Sequence, residues 1–196
     1  HLSIRRQRQM CIRDRKYIVL RGFEDTNEVQ ATFVLNEAEH RLINILKDVI
    51  KIDNVESVNY TINNDPKSVE IISGKVINIA GSEQIEGKLG HLNFKISPQS
   101  FFQLNSEQTT KLYDEIVKAI NPQGTEKVLD LFCGIGSIGL YLSKSVKEVR
   151  GIDINKENIL NAKIFAKDNN IDNSIFYCDK ILTKVHEFEK EGFTPD

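Results

Sequence analysis

The 196-residue chain has no apolar run near the roughly 18 residues that a membrane-spanning helix needs, and no secretory-type apolar stretch near its start. The expected compartment is therefore the cytoplasm. Its three cysteines, Cys11, Cys133 and Cys178, are an odd number, spaced too widely for a zinc or iron–sulfur pattern. The four histidines, His1, His40, His91 and His186, are scattered without ligand spacing and read as surface or loop residues, so no metal is expected. There is no internal repeat and no low-complexity tract. With 40% hydrophobic and 28% charged residues the composition lacks the signature of disorder, and the chain is long enough to bury one generous core or two small ones.

Charge of one sign is unevenly placed. Residues 1–16 hold Arg5, Arg6, Arg8, Arg13, Arg15 and Lys16 against Asp14, which makes +5 and leaves −7 for the remainder of a chain whose net charge is −2. Such an arm has the charge to bind nucleic-acid phosphates. It has neither helical nor strand periodicity, however, and the chain opens with His rather than Met, so residues 1–16 read as a foreign or mis-joined leader without a function of its own.

From Tyr17 the pattern is that of a folded domain. Tyr17–Leu20 and Val29–Leu35 are β-prone and separated by a turn-rich stretch. Asn36 followed by Glu39 has the spacing of a capping box, and Leu42, Ile45, Leu46, Val49 and Ile50 recur at helical spacing, predicting an amphipathic helix over 37–51. Short strands follow at 55–62, 69–71, 75–79 and 92–96, divided by glycine- and proline-containing breakers, so this first half is expected to be mixed α/β with antiparallel pairing. A second capping signal at Asn105 and Gln108 opens a helix with Leu112, Tyr113, Ile116, Val117 and Ile120 on one stripe, stopped by Asn121-Pro122-Gln123-Gly124. Beyond it the order becomes strand (127–132), glycine turn and helix (134–144), strand (148–154), helix (156–170), strand (174–178), which predicts a parallel sheet with right-handed crossovers.

The first of these strands, Val128-Leu129-Asp130-Leu131-Phe132, is nearly all apolar, as expected of a strand buried on both faces. It runs into Cys133-Gly134-Ile135-Gly136-Ser137-Ile138-Gly139, a G-x-G-x-x-G spacing that lets the chain turn sharply and a ligand approach the backbone. Asp153 ends the next strand 19 residues after Gly134, where a carboxylate can accept both hydroxyls of a ribose. Glycines alone do not choose the cofactor. A pyrophosphate is anionic, whereas S-adenosylmethionine carries cationic sulfonium and amino groups, and Asp130 and Asp179 near the turn suit the cation.

The run Phe94-Lys95-Ile96-Ser97-Pro98-Gln99-Ser100-Phe101-Phe102-Gln103-Leu104-Asn105, then Gln108 and Tyr113, then Asp130-Leu131-Phe132-Cys133-Gly134-Ile135-Gly136, resembles the RNA uracil-C5 methyltransferases that act on 23S ribosomal RNA and tRNA. Asn161-Ala162 and 169–176 continue the likeness, which covers 17–196 and favours the ribosomal RNA branch. The resemblance implies a class I, Rossmann-like methyltransferase domain, incomplete here, over 98–196, preceded by a central mixed α/β domain over 17–97. It implies S-adenosyl-L-methionine as cofactor, RNA as partner, no membrane and a monomer. The donor site it implies is Gln103, Phe132, the turn glycines Gly134 and Gly136, Ser137 and Asp153, with Asp179 as a weaker further member. Ser137 stands where the family often has Asn and Asp153 where it often has Glu; both substitutes still form hydrogen bonds.

The family's nucleophilic cysteine attacks C6 of a flipped-out uracil and a base removes the C5 proton. The resemblance implies that both lie beyond residue 196, so no catalytic residue is assigned and the chain by itself is expected to bind the donor at most. Cys133 and Cys178 read as core residues, and Phe101 and Phe102 as packing rather than base-stacking groups. Two other readings stay open: a nicotinamide-dependent oxidoreductase domain, and a catalytically silent nucleoside-binding module.

Overall fold

A computed structural model describes residues 15–23, 25–65, 69–100, 103 and 105–196. The residues expected as a leader up to 14, and Phe101 and Phe102, lie outside the described residues. The chain divides into two compact units, one reaching Gly87 and including Lys95–Gln99, the other comprising Lys88–Phe94 and Ser100–Asp196.

The first unit is built on a four-stranded sheet in the order of β1 (Arg15–Phe23), β2 (Glu28–Leu35), β3 (Val55–Ile62) and β4 (Val76–Gly81). Arg15 and Lys16, read as the end of the leader, therefore belong to β1. Alternation along β2 sends Ala31, Phe33 and Leu35 to one face, where they meet Val58 and Tyr60 of β3. The same core takes Leu46 from helix α1 (His40–Lys47), which continues as a 3-10 turn over Asp48–Lys51.

Three expectations need correction in this unit. Strands β2 and β3 are parallel, not antiparallel, because the helix between them carries the chain back to run in the same direction. Helix α1 begins three residues later than expected: Glu39 is its N-cap residue and no side chain caps it, so the Asn36–Glu39 spacing does not make a capping box. Residues 69–71 are not a strand; they lie in a loop whose carbonyls at Glu70 and Ile71 accept from the Asn63 amide. A strand not foreseen, β5 (Ile85–Leu89), pairs with β6 (Leu92–Ile96) across the Gly90-His91 turn, where Gly90 has φ +58°.

In the second unit a three-stranded sheet has the order β7 (Lys127–Leu131), β8 (Glu148–Asp153), β9 (Ser174–Cys178), parallel throughout as expected. Helix α2 (Ser106–Ile120) precedes it, capped by the Asn105 side chain accepting from Gln108 N–H and closed by Asn121 in the left-handed region. Helix α3 (Ser137–Leu142) links β7 to β8, and helix α4 (Lys156–Asp168) links β8 to β9, with Asn155 accepting from two N–H groups of its first turn. A last helix, α5 (Ile181–Lys190), sends Phe188 onto Ile152, with Phe193 beside them, and Arg150 lies over both rings at 4.7 and 3.9 Å. Strand β7 departs from expectation: it has β8 on one side only among the described residues, so its side chains are half-buried and Leu131 is exposed. No helix among the described residues is long and apolar enough to cross a membrane.

Candidate functional site

Because all three strands of the second sheet run the same way, their carboxyl ends emerge on one side, the usual place for a ligand in an open α/β sheet. Strand β7 leaves through Phe132, a bulky residue at φ +58°, where only glycine is unstrained. Strain of this kind costs about 1–3 kcal/mol and is held in place by its surroundings. Here those are the Cys133 N–H donating to Ile152 O at 3.0 Å and the Gly136 N–H donating to Cys133 O at 2.8 Å. The outcome is a phenyl ring 79% exposed at the rim of a cavity rather than buried beneath it.

Each glycine of the turn has a different physical reason. Gly134 sits at φ +55° with open space where a Cβ would be, leaving the backbone bare to the cavity. Gly136, at φ +76°, would place a Cβ 2.6 Å from the Phe176 ring. Gly139 lies inside α3, where a Cβ would come 2.9 Å from Val149 and 3.1 Å from Asp130 Oδ2. The third glycine is thus a packing requirement between helix and sheet.

The cavity has a volume of about 370 Å³, within the range of sites for small molecules. Its wall includes Gln103, Phe132, Gly134, Ser137 and Asp153, five of the residues singled out from the sequence. Gly136 and Asp179 are not part of the wall; Gly136 acts through the turn, and the Asp179 carboxylate accepts from Lys180 N–H at 2.7 Å. Tyr113, Asn158, Ile135 and Ile138 join the wall without having been assigned to it, and Asp130, noted only for its charge, lies in it as well. Tyr113 was visible in an apolar stripe and in the motif that carries the family likeness, but neither tells which residue borders a cavity.

Asp153 organises the site. Its Oδ2 accepts from Gly134 N–H at 2.9 Å and its Oδ1 from Asn155 N–H at 2.8 Å, so one carboxylate ties the glycine turn to the turn before α4. A carboxylate offers about four acceptor positions, which leaves about two for a ligand. Asp130 is more deeply placed: its Oδ2 accepts from Gly139 N–H at 3.2 Å. Burial, with Asp153 nearby as a second negative charge, pushes its carboxyl up to about 6. Among the described residues no Lys or Arg lies in the wall.

Cys133 does not have the setting of a nucleophile. Cys133 is buried, its thiol donates to Gly134 O at 3.7 Å, and burial together with Asp130 and Asp153 pushes it far up from its ordinary value, away from the reactive thiolate. Cys178 corrects the expectation of a core residue: it is exposed, with its thiol donating to Ile154 O at 3.5 Å. Among the described residues no cluster of three or more His, Cys, Asp or Glu is arranged to hold a metal ion.

The model of the tRNA (uracil-5-)-methyltransferase family matches residues 44–181. A protein of Halalkalibacterium halodurans described as an uncharacterized RNA methyltransferase is 38% identical over 178 residues, covering 89% of this chain and 38% of the relative. One of Listeria innocua with the same description is 38% identical over 181 residues, covering 91% and 39%. The chain thus spans about two fifths of the length of the curated relatives it matches. Among solved structures, the Pyrococcus abyssi tRNA (uracil-54, C5)-methyltransferase, in complex with S-adenosyl-L-homocysteine, superposes with a TM-score of 0.68 at 29% identity, covering 85% of this chain and 40% of that one. An S-adenosylmethionine-dependent methyltransferase of Agrobacterium tumefaciens shares the fold at 16% identity and a TM-score of 0.55. The fold is that of the class I methyltransferases, and the chain belongs to the tRNA (uracil-5-)-methyltransferase family.

Proposed function

We propose that this chain is the donor-binding part of an RNA uracil-C5 methyltransferase, and that the cavity at the carboxyl ends of β7 and β8 takes S-adenosyl-L-methionine. The observation that carries the choice of ligand is the charge of the wall: Asp130 and Asp153 face the cavity and, among the described residues, no basic side chain does. A ligand with cationic sulfonium and amino groups is stabilised there, and a dinucleotide pyrophosphate is repelled. When bound, S-adenosylmethionine supplies an electrophilic methyl group. The chain's own residues bind and orient it: Asp153 accepts from the ribose hydroxyls, Gln103 and Ser137 offer hydrogen bonds, Phe132 covers the opening with its ring, and the Gly134 backbone permits close approach. Asp179, outside the wall, is proposed as a peripheral member of the same site. In domain terms, residues 17–97 form the central mixed α/β domain and residues 98–196 belong to the methyltransferase domain.

As the RNA we propose 23S ribosomal RNA, the branch that the resemblance over residues 17–196 favours. A second reading, tRNA, is favoured by the solved relative, which acts on a tRNA uracil. The chain by itself is proposed to transfer no methyl group, since Cys133 is buried with its thiol pushed far up, away from the thiolate, and Cys178 does not line the cavity. The test is tritium transfer from labelled S-adenosylmethionine to fragments of the two RNAs. Residues 1–196 are expected to label neither; C5 labelling by this chain would make one of its own cysteines the nucleophile and overturn that part of the reading. Competition between the two RNAs for retention on the protein decides the branch.

A further inference from the structure

Helices α2 and α3 exchange side-chain hydrogen bonds in both directions. Tyr113 of α2 reaches Ser137, the first residue of α3, with its hydroxyl 2.9 Å from Ser137 Oγ. Tyr141, one turn further along α3, reaches back and donates to Asp114 Oδ1 at 2.6 Å, the residue directly after Tyr113. The two phenol rings meet edge to face at 5.3 Å and 71°, and both are buried. On another side Tyr141 packs against the His91 ring at 4.8 Å, and Gly90 approaches so closely that a Cβ there would lie 2.6 Å from Tyr141 Cε2. Tyr113 and Ser137 both line the cavity; Tyr141 and Asp114 do not.

We propose that Tyr113 is a positioning residue of the ligand site, donating its phenolic hydrogen to Ser137 Oγ so that the serine turns its own hydrogen towards an acceptor atom of the bound ligand. A serine hydroxyl has one hydrogen to give and two lone pairs. Once it accepts from Tyr113, its rotor is no longer free, and what it presents to the cavity is a donor. Burial keeps the Tyr113 phenol protonated well beyond neutral pH, so it retains a hydrogen to donate across the 2.9 Å contact. Tyr141 packs against the Tyr113 ring and is itself anchored by Asp114, its phenol pushed up to about 12 by burial and by that bond. This accounts for a serine being adequate at 137: an orienting neighbour supplies the direction that a larger amide would supply by its own geometry.

The inference rests on the cavity being the S-adenosylmethionine site. The experiment is calorimetric titration of residues 1–196 with S-adenosylhomocysteine for wild type, Tyr113→Phe, Ser137→Ala and the double variant, with the melting temperature of each. Tyr113→Phe keeps the ring against Tyr141 and removes one oxygen, so its melting temperature should stay close to wild type while the dissociation constant rises about three- to tenfold, as for loss of one hydrogen bond. Ser137→Ala should weaken binding similarly, and the double variant no further than Ser137→Ala alone, because the tyrosine acts only through the serine. Ser137→Thr, which keeps the hydroxyl, should remain sensitive to Tyr113→Phe. Unchanged affinity in Tyr113→Phe, or losses that multiply in the double variant, overturns the inference while leaving the donor site intact. Failure of the wild type to bind S-adenosylhomocysteine, in a folded sample, rejects the donor site itself and the inference with it.

Discussion

The two sheets use similar sequence material to different ends. In the first, strand directions are mixed, β1 and β4 running antiparallel to the parallel pair β2 and β3, so the strand ends do not all emerge on one side. What it builds is a core, with Phe33, Leu35, Val58 and Tyr60 packed under α1. In the second, all pairing is parallel, so the ends of β7 and β8 deliver Phe132 and Asp153 to one place, and the turn between β7 and α3 adds bare backbone. Direction of pairing, more than composition, separates a region that stores stability from one that gathers chemistry.

The sharpest way to break this contrast is at the turn. Gly136→Val adds side-chain atoms where even a Cβ meets Phe176 at 2.6 Å, on a backbone at φ +76°. Overpacking and left-handed strain together should cost about 2–5 kcal/mol of folding stability. Urea unfolding checks this. A loss under 1 kcal/mol would mean that the turn is looser than described. Next in size, Asp153→Ala removes the acceptor shared by Gly134 and Asn155. It should weaken S-adenosylhomocysteine binding by about 1.5–3 kcal/mol; an unchanged dissociation constant in a folded variant rejects the assignment.

Asp130 allows a test in which stability and binding move oppositely. Its folded-state carboxyl is raised from 3.8 to about 6, so the folded state holds the proton more tightly than the unfolded one. Stability from this group is therefore present below pH 4 and lost as pH rises through 6. Asp130→Asn, which can still accept from Gly139 N–H, should recover on the order of 2 kcal/mol at pH 7. The same change should weaken S-adenosylmethionine binding at that pH, since an ionised carboxylate facing a cationic ligand is lost. A variant no more stable than wild type at pH 7 would show that Asp130 is not held up by burial. The smallest effect belongs to the exposed surface: Glu107→Gln breaks the pair with Lys111 on α2 and should leave the melting temperature unchanged within error.

Much of the second unit was legible in the sequence, and for local reasons. The Asn105–Gln108 cap, the glycine spacing and the alternation of strands and helices each act within a few residues. Helix α5 was legible too, since Ile181, Val185 and Phe188 follow helical spacing, but it was not foreseen. The first unit resisted because its pairing depends on distant partners. Val55–Ile62 reads as a strand in either direction, and nothing in its pattern says that β2 lies beside it in parallel. Within the site, Asp153 was predictable from its distance to the glycines, whereas Tyr113 entered through helix phase and packing against Tyr141, which spacing alone does not encode.

The central claim is that two carboxylates at parallel strand ends make a site for a cationic nucleoside and not for a dinucleotide. The most direct measurement is calorimetric titration of residues 1–196 at neutral pH with S-adenosylmethionine, S-adenosylhomocysteine and NAD. Saturable binding of the two adenosyl ligands, lost in Asp153→Ala, with no heat from NAD, is the predicted result. Binding of NAD in preference to both would contradict it.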